Sequence, residues 1–374
     1  MKIYVVGGAI RDTLMGLPVH DIDYVVVGSS VEEMVAKGYR PVGKGFPVFL
    51  HPETQAEYAL ARTERKTGKG YKGFHFYADP SVALEQDLER RDLTINAMAQ
   101  EVGADGKIIG AIIDLYNGQE DLAAKVFRHV SDAFAEDPLR LLRIARFAAR
   151  FPDFSVADET LVALKDIVQA GELSAISAER IWQELARGFV AAKPMHLFQI
   201  LLNTGAAKTI LPPTLTARLS EEPFREELIA HFALAGNSLE ERCAITLMDL
   251  PASEIRSWAD CVRMPIDIRD FSEIFSDLRV LINKYRDSSY QPADVLAWFN
   301  RADVWRKPDR SQTLLTLAEK LDLNVLPLMK AMRSTQTINT ADIIARVPAE
   351  DRSNGERIGS AFDSARLAAI TAVL

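Results

Sequence analysis

The sequence predicts an α+β protein in which strands and helices interleave at the N-terminal end and the remainder is all helix. Three observations carry this. Strand-like runs, "KIYVV", "DYVVV", "PVFL" and "EYALA", fall before Pro138. Among them "SSVEEMVAKG" has the Ser N-cap and closing Gly of a short helix. From Pro138 onward apolar residues recur at helical spacing, as in Leu139, Leu142, Ile144 and Phe147.

The elements follow in order. Met1 to Val6 is a strand, too short for a signal-peptide core, and meets Gly7-Gly8, which opens the helical run "AIRDTLMG". Next come "HDID" and a valine strand, the capped helix, and two further strands. Thr63 to Gly73, "TERKTGKGYKG", is a basic, turn-rich loop, with Tyr71 and Phe74 as base-stacking candidates. "RRDLTINAM" reads as a capped helix start, with Asp92 as cap and Leu93, Ile95 and Met98 as core. Beyond Pro138, "AERIWQELARGFV", "PADVLAWFNRAD" and "QTLLTLAEKL" continue the helical period, and Trp182, Trp258, Trp298 and Trp305 are assigned to the core.

Composition narrows the function. The 374 residues, 48% hydrophobic and 26% charged, suit a soluble protein of two or three domains rather than a disordered chain. A net charge of -8 disfavours a uniformly basic nucleic-acid binder, yet Arg140, Arg143, Arg146 and Arg150 share one segment, so a basic groove fits an acidic chain. Cys243 and Cys261 have no CxxC or Cys/His spacing, which excludes a disulfide framework or zinc site and points to the cytoplasm. No run reaches the ~18 apolar residues of a membrane span, so no membrane partner is expected.

The chemistry starts at Asp21 and Asp23. Two strand residues two apart face one way, about 6.5 Å apart along the backbone, and two carboxylates so placed repel unless a cation lies between them. Oxygen-only ligation suits Mg²⁺, and two such ions serve in-line phosphoryl transfer. Gly8 and Arg11 stand where a triphosphate would rest. Glu57, opening "EYALAR", is the candidate third acid.

These motifs together resemble a nucleotidyltransferase of the DNA polymerase β superfamily, and specifically the tRNA nucleotidyltransferases, or CCA-adding enzymes, of the eubacterial and eukaryotic class. "VGGAIRD", "DIDYVVVG", "EYALARTER", "RRDLTINAMA" and "EDPLRLLRIARFAAR" follow in that family's order, and "RADVWRKPDR" is similar to its C-terminal stretch. The resemblance implies a catalytic head with a mixed sheet at 1–137, a helical neck at 138–200, and a body and tail at 201–374 that bind tRNA. It implies addition of C, C and A to tRNA from CTP and ATP, with Gly8, Arg11 and Arg91 contacting the nucleotide and Asp21 and Asp23 holding Mg²⁺. A poly(A) polymerase, an A-adding enzyme and a catalytically dead RNA binder are the alternatives.

Base selection falls to Asp137 and Arg140. Spaced i, i+3 on a helix starting near Pro138, they offer an acceptor and a donor to the matching edges of cytosine and adenine. Arg143 and Arg146 are assigned to phosphate, and Arg150 to a structural role or a tRNA contact. Some relatives carry an HD phosphohydrolase domain; here Met248 precedes Asp249 where His is expected, and the lone His231 is a surface or core residue, so no such activity is expected.

Overall fold

The computed structural model describes residues 1–42, 48–66 and 74–374, without the side chains of residues 64–66 and 74–76. The described residues form two compact units, Met1–Gly188 with Ala192–Ile210, and Phe189–Ala191 with Leu211–Leu374.

In the first unit β1 (Lys2–Val6) leads into α1 (Gly8–Leu14), β2 (Asp23–Val27) and α2 (Val31–Ala36). Ser30 caps α2 in a full capping box with Glu33, as the sequence signature requires. Then come β3 (Arg40–Val42), β4 (Val48–Leu50), β5 (Glu57–Leu60), β6 (Thr63–Lys66), β7 (Phe74–Tyr77), α3 (Leu84–Glu89), β8 (Met98–Val102), β9 (Ile108–Asp114), α4 (Gly118–Ala124) and β10 (Val126–Phe127). Seven strands make one mixed sheet in the order β3-β4-β5-β2-β1-β8-β9, in which β2 and β5 are parallel. Alternation along the strands sends Val26, Tyr58 and Leu60 to one face, with Met34 of α2. Tyr4, Val6, Val25 and Ala99 go to the other, with Leu88 of α3.

The helical part of this unit is α5 (Leu139–Arg150), α6 (Asp158–Gln169), α7 (Ala178–Phe189), α8 (Met195–Thr204) and α9 (Ala207–Ile210), with β11 (Ser155–Val156) pairing to β10. The second unit is helical throughout its described elements, from Pro213–Leu219 to Gly355–Thr371. No described helix is long and apolar enough to cross a membrane.

Four expectations need correction. Asp21 precedes the strand rather than lying in it, because β1 ends at Val6, opposite Asp23, and Gly7 turns the chain away. Thr63–Lys66 is strand rather than loop, paired antiparallel with Phe74–Tyr77; residues 67–73, including Tyr71, and the side chain of Phe74 lie outside the described residues. "RRDLTINAM" forms a single 3₁₀ turn at Thr94–Asn96 and then β8, although Leu93, Ile95 and Met98 are fully buried as expected. Trp182, Trp258 and Trp298 are buried, but Trp305 is only half-buried, with the Arg366 guanidinium carbon 3.4 Å from its ring centroid.

Candidate active site

The site gathers at one end of the sheet. Asp23 opens β2 opposite Val6, the last residue of β1, and Glu57 opens β5 alongside it, since the next residues, Tyr24 and Tyr58, pair across the parallel ladder with rings stacked at 4.4 Å. Strand parity turns Asp23 and Glu57 to the face opposite those tyrosines. Asp21, two residues earlier, is exposed, as are Asp23 and Glu57. None of the three carboxylates has a hydrogen bond or ion pair among the described residues, where no three acidic, His or Cys side chains converge as a metal group. Exposed carboxylates with no cationic partner among the described residues fit a hard divalent cation that keeps waters and substrate oxygens as its other ligands.

Beside them the Gly7-Gly8 turn is built for close approach. Gly7 has φ +70°, and a Cβ there would lie 2.8 Å from Arg91 Nη1, so only glycine fits. Arg91 also donates through Nη1 to the Asn96 carbonyl at 3.3 Å and through Nη2 to Asp87 at 3.3 Å, while its buried Nε has no partner. Arg91 thus stands behind the glycine turn as a part-buried cation held by Asp87.

Arg11 departs from its expected role over the phosphates. It is 3% exposed, with Nε and Nη2 on Asp12 at 2.9 and 2.8 Å, Nη1 on Asn96 Oδ1 at 2.6 Å, and Phe147 and Phe151 against its guanidinium. Burial lowers its pKa and Asp12 opposes that shift.

The expected base-reading pair is near α5 but differently arranged. Asp137 is extended rather than helical, because the residue before a proline is disfavoured in the α region. Its Oδ1 accepts from the Leu139 amide at 3.1 Å and its Oδ2 from Arg180 at 3.0 Å. Arg140 is buried and donates to the carbonyls of Ala133, at 2.9 Å, and Arg90.

Arg143 and Arg146 are each anchored through Nε to a buried acid. Arg143 Nε bonds Asp92 at 2.7 Å and Arg146 Nε bonds Glu184 at 2.5 Å, since two buried acids need counter-charges. Burial alone would raise the Asp92 carboxyl, but Arg143, with Asn96 and Arg140, outweighs it and holds the group well below the usual carboxylate range. Sequence reasoning missed Asp12, Asn96, Arg180 and Glu184 as partners. The i, i+4 placement of Arg180 and Glu184 in "AERIWQEL" was a signal that both charges share one helix face.

In the second unit Asp249 is ion-paired with Arg218 at 3.1 Å and Arg279 at 3.0 Å, and buried Met248 accepts from Arg279. His231 lies half-buried beside Glu227, Nε2 to Oε1 3.9 Å.

This sheet, with carboxylates and a glycine turn at one end, defines a nucleotidyltransferase head. Residues 3–128 match the family described as poly A polymerase head domain, and residues 153–218 match the probable RNA and SrmB-binding site of polymerase A. The chain is 46% identical over 368 residues to the multifunctional CCA protein of Burkholderia ambifaria, covering 89% of each. It is 44% identical over 411 residues to that of Burkholderia cenocepacia, covering 100% of this chain and 99% of the relative. Solved CCA-adding enzymes share the fold: an apo form with TM-score 0.65 at 21% identity, covering 98% of this chain and 88% of the other, and a complex with CTP with TM-score 0.65 at 22% identity, covering 99% and 87%. The chain belongs to the CCA protein family, tRNA nucleotidyltransferases with a poly A polymerase head, whose superfamily generally uses divalent metal ions.

Proposed function

We infer that the protein builds and repairs the 3′-terminal CCA of tRNA without a template, joining CMP, CMP and AMP from CTP and ATP with release of pyrophosphate, in the cytoplasm. The near full-length kinship with CCA proteins supports the reaction. The observation that carries the chemistry is the line of exposed carboxylates at the start of β2 and β5, unpaired among the described residues, next to a glycine turn backed by Arg91.

Asp21 and Asp23 would hold Mg²⁺, with Glu57 as the third acid; the bound ion supplies charge neutralisation of the triphosphate and of the attacking 3′ oxygen. Gly8 lets the nucleotide approach the backbone, and Arg91 contacts its phosphate or ribose. Asp137 and Arg140 read the base. Each carboxylate oxygen of Asp137 takes two hydrogen bonds and has one filled, so an exocyclic amine can add without displacing Arg180. Arg140 exchanges carbonyl partners for the base acceptors. Residues 1–137 thus act as head, 138–200 as neck and 201–374 as tRNA-binding body and tail.

The test is incorporation of labelled CTP and ATP into tRNA transcripts ending at the discriminator base, at -C and at -CC, with Mg²⁺. Ordered C, C, A addition that then stops is expected. Asp21→Ala or Asp23→Ala should lower it by at least about a thousandfold with tRNA binding intact. Runs of A from every starting end would indicate a poly(A) polymerase, and tRNA binding without incorporation by the wild type would indicate an RNA-binding relative.

A further inference from the structure

A closed chain of hydrogen bonds starts and ends on α5. Arg150 Nη2 bonds Asp12 Oδ2 at 2.9 Å, and Asp12 Oδ1 takes Arg11 Nε at 2.9 Å. Arg11 Nη1 reaches Asn96 Oδ1 at 2.6 Å, Asn96 Nδ2 reaches Asp92 Oδ1 at 3.0 Å, and Asp92 Oδ2 takes Arg143 Nε at 2.7 Å. The four middle members, Asp12, Arg11, Asn96 and Asp92, are all buried. Arg143 and Arg150 are two helical turns apart on one face of α5, so the circuit grips that helix at both ends.

The circuit touches the site at Asn96, whose carbonyl accepts from Arg91 Nη1 at 3.3 Å, and at Arg11. Arg11 Nη2 lies 3.3 Å from where a Gly8 Cβ would be, so its guanidinium underlies the glycine turn. The same α5 carries Arg140 in its first turn. A shift of α1 against α5 would therefore move the phosphate-bearing turn relative to the base-reading residues. Catalysis by positioning is sensitive to such displacement.

We propose that Arg150 is a positioning residue for nucleotide addition, acting through Asp12 on Arg11 to hold the Gly7-Gly8 turn in register with the base-reading end of α5, and is not a tRNA phosphate contact. Its side chain is 37% exposed, but the guanidinium is turned inward onto Asp12 and over the ring of Phe151, 4.8 Å from its centroid. This deepens the proposed function and rests on it.

The experiment uses the full chain with Arg150→Gln, Asp12→Asn, the double variant and Arg150→Lys. Each is assayed for kcat and KM of CMP addition to tRNA lacking CCA, and for tRNA affinity from low to moderate salt. Either single neutralisation should lower kcat about ten- to a hundredfold and leave tRNA affinity and its salt dependence unchanged. The double variant should be no worse than the poorer single one, because both break one link. Arg150→Lys, which keeps a cation against Asp12, should recover part of kcat. Unchanged kcat with weaker tRNA binding and a salt slope shallower by about one unit would overturn the proposal, as would multiplicative losses in the double variant. If Arg150→Gln does not fold, Asp12→Asn alone decides by the same split of kcat against tRNA affinity. A wild type that adds no CMP would defeat the functional reading instead; the link would still show as non-additive urea midpoints of Asp12→Asn and Arg150→Gln.

Discussion

Asp92 illustrates how much one buried residue can carry. It takes the Leu93 amide, the Asn96 amide and Arg143 together, and is 7% exposed. Its folded pKa is depressed, so its contribution is present above the unfolded value, about 3.9, and is lost as pH falls towards the folded one. Asp92→Asn should therefore cost about 1–3 kcal/mol at pH 7, the range for hydrogen bonds to a charged group. Urea midpoints of the variant and wild type should differ at pH 7, and the gap should narrow progressively as the pH falls below about 4. A gap that does not narrow would mean that packing rather than charge is responsible. The acid itself was visible in "RRD", but its partner is 51 residues away, and nothing local announces Arg143.

Among the elements, the β1–α1 turn has the least freedom. Gly7 combines φ +70° with the approach of Arg91 at 2.8 Å to a notional Cβ, whereas Gly8, the glycine singled out from sequence, has no positive φ and a looser contact. Gly7→Ala should lose about 1–3 kcal/mol from backbone strain, and activity should fall further because Arg91 must move; thermal melts and the CTP incorporation assay separate the two. Gly8→Ala should be milder in the melt. The helix α5 teaches the converse. Its apolar spacing was legible, and the helix starts at Leu139 as Pro138 implies. The destinations of its arginines were not, because Asp12, Asp92 and Glu184 come from distant segments.

Across the whole chain the two cysteines differ in a way that composition hides. Cys243 is fully buried on Leu239–Leu247, and burial, then Glu240, pushes its thiol well up; Cys261 is exposed on Ala252–Val262. Reaction with a thiol-specific alkylating agent near pH 8 should modify Cys261 alone in the native protein, with Cys243 following only in denaturant. Mass spectrometry of peptides would check this, and native modification of Cys243 would count against the packing of this helical unit.

The α+β start, the helical remainder and the capped α2 were all legible, because each depends on local periodicity or on a few adjacent residues. The alignment of Glu57 with Asp23 came only from the parallel register of β2 and β5, which local sequence does not specify. Folding also decided which acids anchor the arginines. Arg143 and Arg146 are anchored by buried acids from distant segments, and Arg11 by its neighbour Asp12 and by Asn96 from 85 residues on, since a buried carboxylate without a counter-charge costs about 3–5 kcal/mol. Residue types and their order determined the chemistry this chain can perform; long-range pairing of charges and strands decided which residues are placed to perform it.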